Sequence, residues 1–138
     1  MKTNVMISQI INFKPLYLVF SLFTWDFIDV LSVCRDEEEN LYLCKITDWR
    51  DVIEIISTRT TKKIIKDLIN QKISINIAMK RGSMIKYKSK YHYDKGWTSK
   101  EIRFNQIDRL DLAADNTYLE YPNDGVKENY RRYFKEEL

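Results

Sequence analysis

Glycine and proline are scarce: three Gly and two Pro among 138 residues, where average usage gives roughly ten and seven. Collagen-like, linker-like and Pro-rich disordered chains are thereby excluded, as is a Gly-rich phosphate loop. One His and two Cys exclude a self-contained zinc site. His-Glu-x-x-His, Asp-rich calcium loops and Cys-x-x-Cys pairs are all missing, so neither a metal nor any other cofactor is implied. Long apolar runs are missing too. The longest, Leu16 to Phe23, is too short for a membrane span, and Asp26 and Asp29 break any wider window. No small-residue cleavage site follows it, which argues against a signal peptide. The expectation is a cytoplasmic protein with no membrane association. Cys34 and Cys44 are placed to face each other across a hairpin, and in that compartment they are expected as reduced thiols packed like small apolar residues.

What is present suits a soluble domain. Apolar residues make up 44% and charged residues 31%, enough to bury one core. No repeat or linker divides the chain, so residues 1–138 are read as a single domain. The formal charge of +3 conceals three blocks. Residues 1–57 carry 5 Lys/Arg against 9 Asp/Glu, residues 58–103 carry 13 against 3, and residues 104–138 carry 5 against 8. A basic block between acidic flanks marks a face for phosphate or acidic-protein contact. Lys, Ile, Asn and Tyr supply 50 residues while Ala occurs three times. That bias points to AT-rich coding DNA, so some lysines reflect codon supply rather than binding.

Apolar periodicity predicts the elements. Val5 to Phe13 and Pro15 to Phe23 read as strands, with Pro15 tolerated at a strand start. Asp26 to Arg35 and Leu41 to Thr47 form a hairpin around Asp36-Glu37-Glu38-Glu39-Asn40, where Asn40 is the residue that tolerates positive φ. Val52 to Ile56 is a further strand. Thr60 to Gln71 reads as a helix, with threonine caps and an Ile64, Ile65, Leu68, Ile69 stripe. Ile73 to Met79 fits a strand by alternation and a short helix by its Ser74 cap. Met84 to Tyr93 alternates strictly, with Tyr87, Tyr91 and Tyr93 on one face and Lys86, Lys88, Lys90 and His92 on the other. Asp94-Lys95-Gly96 turns it back into Trp97 to Phe104. Residues 107–121 are irregular, anchored by Leu110, Leu112, Tyr118, Leu119 and Tyr121. Val126 to Leu138 suits an amphipathic helix. The predicted class is α+β: a mainly antiparallel sheet of five to seven strands, one central amphipathic helix and a C-terminal helix.

Catalytic templates do not assemble. His92 sits in a lysine-rich strand with no motif around it. A carboxylate pair would best be Asp26 and Asp29 beside Trp25, yet strand-edge carboxylates need no such role. The chain is therefore read as no enzyme. The segment from Lys80 to Arg103 mixes basic residues with Tyr87, Tyr91, Tyr93 and Trp97, and cations beside aromatic faces are what unpaired nucleic acid requires. Strand register, however, puts the two types on opposite faces. Edge lysines also discourage sheet-to-sheet aggregation. The acidic Asp36 to Glu39 tip is expected to be solvated. On the last helix, Arg131, Arg132 and Tyr133 have the composition of an interface.

Certain stretches resemble a family of uncharacterised small bacterial domains. They are Val33-Cys34-Arg35-Asp36-Glu37-Glu38-Glu39-Asn40-Leu41-Tyr42-Leu43, then Ile55-Ile56-Ser57, then Leu68-Ile69-Asn70-Gln71-Lys72-Ile73-Ser74-Ile75. Leu110-Asp111-Leu112 through Tyr118-Leu119 is similar to the closing segment. Such domains often carry Gly where this chain has Glu39, and an acidic surface where this one is basic. The resemblance covers about two-thirds of the chain and implies a compact bacterial domain of the kind found near defence and mobile-element genes.

The functional expectation is a non-catalytic protein-binding module: a subunit, inhibitor or immunity partner in a bacterial or phage defence or toxin system. Its partner is another protein, in a hetero-complex or a homo-oligomer, with no small-molecule ligand evident. The candidate contact residues are Lys80, Arg81, Lys86, Lys88, Lys90, His92, Lys95, Arg131, Arg132 and Tyr133. The alternative is a nucleic-acid-binding accessory protein using the basic strand region 80–103.

Overall fold

The computed structural model describes residues 7–11, 14–25, 28–49, 52–109, 112–113, 117–119 and 124–138. Seven strands form one antiparallel sheet in chain order: β1 (Ile7–Ile11), β2 (Lys14–Trp25), β3 (Ile28–Arg35), β4 (Leu41–Asp48), β5 (Ile53–Arg59), β6 (Ile85–His92) and β7 (Gly96–Arg103). Helices α1 (Lys62–Ile69) and α2 (Ile75–Lys80) interrupt this meander after β5, and α3 (Asp124–Phe134) follows it. The class is α+β, with one central helix more than the patterning predicts. Ile73 to Met79 resolves as helix because Ser74 Oγ accepts the Ile77 amide at 3.2 Å, capping α2. The outer ends of the first expected strand (Val5, Met6, Asn12, Phe13) lie outside the described residues, as do Asp26, Phe27, Leu110 and Tyr121.

The sheet curls. Register shifts interrupt the β2–β3 ladder after Leu18, Ser21 and Phe23, and such bulges bend a strand and sharpen its twist. The first strand thereby comes within 8 Å, Cα to Cα, of β6 and β7, without joining their ladder among the described residues. Curling gives the sheet an outer and an inner face. On the outer face Leu31, Val33, Leu43, Ile56 and Ile102 pack against α1, α2 and α3. The inner face gathers a smaller cluster: Ile11, Leu16, Cys34, Tyr42, Cys44 and Ile55.

Local chemistry fixes the joints. Thr61 caps α1 by accepting the Ile64 amide, and its Ile64–Ile65–Leu68–Ile69 stripe enters the outer core. The helix ends as Gln71 takes φ 61° while the Gln71 and Lys72 amides bond back to Leu68 and Asp67, a Schellman closure without glycine. In the β3–β4 turn the left-handed residue is Glu39, at φ 66°, not Asn40. Asn40 instead donates its backbone and side-chain nitrogens to the Asp36 carboxylate, each at 2.9 Å. Glu37, Glu38 and Glu39 are exposed as expected, but Asp36 is buried. Burial works to raise its pKa; the hydrogen bonds from Asn40 and Glu38 outweigh that and leave it lowered.

Candidate functional site

The β6 alternation holds from Ile85 to His92; Tyr93, expected on the face of Tyr87 and Tyr91, falls past the strand's end and is exposed. Tyr87 packs against the inner cluster, and the Tyr91 ring lies 5.2 Å from that of Trp97, centroid to centroid. The lysines take the opposite, outer face. Lys86, expected in solvent there, is 1% exposed. The α2–β6 connection folds over it, which Gly82 permits. At φ 89°, a Cβ on Gly82 would fall 2.1 Å from the Arg59 carbonyl oxygen, so only glycine fits. The Lys86 ammonium donates to Thr58 Oγ1 at 2.8 Å, to the Lys80 and Arg81 carbonyls at 3.2 Å each, and to the Ser83 carbonyl. Burial pushes its pKa down to about 8. Lys86 is a clamp on its own loop and no part of a contact surface.

Beyond it, the outer face of β6–β7 leaves Lys88 and Lys90 half-buried and Lys100 exposed. Lys88 stands directly opposite Lys100 in the ladder, and Lys90 opposite Thr98. Together with Ser99 these residues line a shallow hollow of about 230 Å³. Like charges directly opposite each other destabilise a sheet. Part of the repulsion is relieved by Glu54, which takes Lys88 at 3.4 Å and Lys90 at 3.5 Å. Thr47 Oγ1 holds the same carboxylate at 2.9 Å. Lys100 has no ion-pair partner among the described residues and is exposed.

The ten candidate contact residues do not form one surface. Lys80 and Arg81 are exposed at the end of α2, and Lys95 is exposed in the β6–β7 turn beyond His92. Arg131, Arg132 and Tyr133 lie on α3, which packs on β2 and α1, with β3, β4 and β5 between β2 and β6. Arg131 there binds Glu137 at 2.7 Å, and Arg132 reaches Glu128 at 3.7 Å. Tyr133 packs edge-on against Phe134, and Tyr130 is fully buried in the outer core. The hollow therefore keeps Lys88 and Lys90 from that set, and adds Lys100, whose place opposite Lys88 only the register reveals.

A second hollow, of about 200 Å³, lies inside the curl, lined by Gln9, Leu18, Asp29, Ser32, Cys34, Cys44, Ile46, Ile53, Ile55 and Trp97. Cys34 and Cys44 are buried thiols that form no disulfide, and they hydrogen-bond to each other. They are not register partners: Cys34 faces Tyr42 and Cys44 faces Ser32. Burial raises the Cys44 pKa well above the usual thiol value, so it stays protonated. Asp29 accepts a hydrogen bond from Thr24 at 3.3 Å; its proposed partner Asp26 lies outside the described residues. Gln9 and Ser32 carried no sequence signal, because their meeting with Trp97 depends on the curl. A third, apolar cleft of about 280 Å³ runs between Phe23, Leu31, Ile75 and Tyr118. Among the described residues, no group of three or more His, Cys, Asp or Glu is arranged to hold a metal ion, and no helix is long and apolar enough to cross a membrane. Set against known proteins, the chain matches no protein-family model, no curated protein and no solved structure.

Proposed function

We propose that this protein is a non-catalytic binding module that takes an acidic segment of another protein on the outer face of β6–β7. One observation carries the reading: Lys88, Lys90 and Lys100 converge on one shallow hollow at a cost in sheet stability. A carboxylate already sits among them. The Glu54 pairs with Lys88 and Lys90 support an acidic ligand, and an incoming acidic side chain would offset the remaining repulsion. Charge complementarity of this kind raises association rate and excludes wrong partners. A nucleic acid is the weaker fit. Tyr87, Tyr91 and Trp97 face inward and leave Tyr93 as the one exposed ring of that set, and three clustered lysines make a point of contact rather than a track along a backbone. The role is that of a subunit, inhibitor or immunity partner, such as defence and toxin systems employ.

The test is fluorescence anisotropy with a labelled poly-glutamate peptide and, in parallel, a labelled single-stranded oligonucleotide. Expected is peptide binding that weakens as salt rises from about 50 to 200 mM. It should fall about tenfold or more in the triple variant Lys88→Gln, Lys90→Gln, Lys100→Gln, checked as folded by circular dichroism, and in part in Lys100→Gln alone, which leaves the Glu54 pairs intact. Peptide binding that is absent, or indifferent to the triple substitution, overturns the reading. So does tighter binding of the oligonucleotide.

A further inference from the structure

The inner hollow has the attributes of a small-molecule site, although the sequence gives no sign of such a ligand. Its walls are apolar where Leu18, Ile46, Ile53 and Ile55 meet the Trp97 ring system. An engineered cavity of ~150 Å³ with apolar walls admits benzene, and this one, at about 200 Å³, leaves room for a ring with a short tail. Its polar lining holds two acceptors of note, the Gln9 amide oxygen and the Asp29 carboxylate, beside the Ser32 hydroxyl and the two thiols. Gln9 is 0% exposed; its amide nitrogen is committed to Cys44 Sγ at 3.0 Å. Its Oε1 has no hydrogen-bond partner among the described residues. Most buried polar atoms are paired, and leaving one unpaired is costly, so an orphan acceptor lining a cavity calls for a donor from outside the chain. Asp29 adds a carboxylate to the same lining. Among the described residues, no Lys or Arg lines it.

A carboxylate and an unpaired amide oxygen, with no Lys or Arg among the described lining residues, favour a ligand that donates and is positive in charge. We propose that the interior of the curled sheet binds a small ring-bearing amine. Its ring packs among the isoleucines and Trp97, its ammonium pairs with Asp29, and a ring hydroxyl or N–H donates to Gln9 Oε1. Trp97 adds an aromatic wall, which favours both a ring and a nearby cation. The site is separate from the lysine hollow. The two lie on opposite faces of the sheet, and Lys88, Lys90 and Lys100 take no part in it.

Isothermal titration calorimetry with tyramine, phenethylamine and 4-hydroxyphenylacetate tests this, with the Trp97 indole N–H resonance followed by NMR. Tyramine should bind and shift the Trp97 signal. Phenethylamine, which lacks the hydroxyl for Gln9, should bind more weakly, and 4-hydroxyphenylacetate should not bind. Asp29→Asn should weaken tyramine about tenfold, and Gln9→Met should abolish the preference for tyramine over phenethylamine. Asp29→Asn alone decides the matter if Gln9→Met does not fold. The proposal is overturned if none of the three probes moves Trp97, which would leave water as the occupant. It is equally overturned if the acid binds as well as the amine, or if Asp29→Asn changes nothing. The Lys88–Lys90–Lys100 variant should bind tyramine normally, so this experiment fails or succeeds independently of the acidic-partner reading.

Discussion

The two faces of the sheet are built to different standards. On the outer face, α1 brings Leu68, Ile65 and Ile69 against Leu43, Val33 and Ile56, and all six are nearly or completely buried. Even Lys86, the most deeply buried charged group among the described residues, is surrounded by four oxygen acceptors. On the inner face six residues form the cluster, a hollow remains, and the Gln9 amide is only half satisfied. The outer face has gaps of its own, the apolar cleft beside Leu31 and Ile75 and an Asn76 Oδ1 unpaired among the described residues, but its close-packed centre serves stability. A hollow beside an unpaired acceptor does not, and is the more informative place to look for chemistry.

Matched truncations offer the most direct way to break this comparison. Leu68→Ala should cost about 3–5 kcal/mol, because the packed outer core cannot collapse around the gap. Ile55→Ala should cost nearer 2 kcal/mol, since that side chain already borders empty space. Urea denaturation measures both, and equal losses would mean the two clusters are equally well packed.

Lys86→Met should cost about 2–3 kcal/mol near neutral pH by stranding buried acceptors. It also carries a pH signature. The folded pKa of about 8 lies below the ordinary 10.5, so between those values the unfolded chain binds more protons and stability rises with pH. The wild type should gain about 1–3 kcal/mol over Lys86→Met across that window. A flat difference in urea midpoints from pH 8 to 10.5 would show that the cage leaves this lysine unperturbed.

The smallest expected effect is favourable. Glu39→Gly relieves a left-handed residue in the β3–β4 turn and should raise stability by about 0.5–1 kcal/mol. A fall in melting temperature would mean that the exposed Glu39 side chain contributes more than its backbone costs.

These contrasts explain what was legible from residues alone. Alternation in β6 set which face each lysine takes, because a period of two follows from strand geometry. The α1 stripe and its Thr61 cap were legible for the same local reason. Lys86 was misplaced in solvent because alternation assigns a face and says nothing about what later covers it. The covering loop depends on Gly82 approaching Arg59, which lies 23 positions earlier in the chain. Asp36 was read with its acidic neighbours because its burial comes from Asn40 and Tyr42 turning back onto it. The inner hollow was invisible throughout. Gln9 and Trp97 belong to the first and last strands, and no local pattern encodes their meeting.

Sheet order itself has a kinetic meaning. Every ladder joins strands that are neighbours in sequence order, so each hairpin can form with little loss of chain entropy beyond its own loop. The widest such step is β5 to β6, where α1 and α2 intervene. The approach of β1 to β6 and β7 is different: it spans most of the chain and must wait for all the strands between. That seam is the last part of the sheet to assemble and the first to breathe, and it borders the inner hollow. A route into the interior thus needs no dedicated gate, only the ordinary fraying of the strand that arrives last.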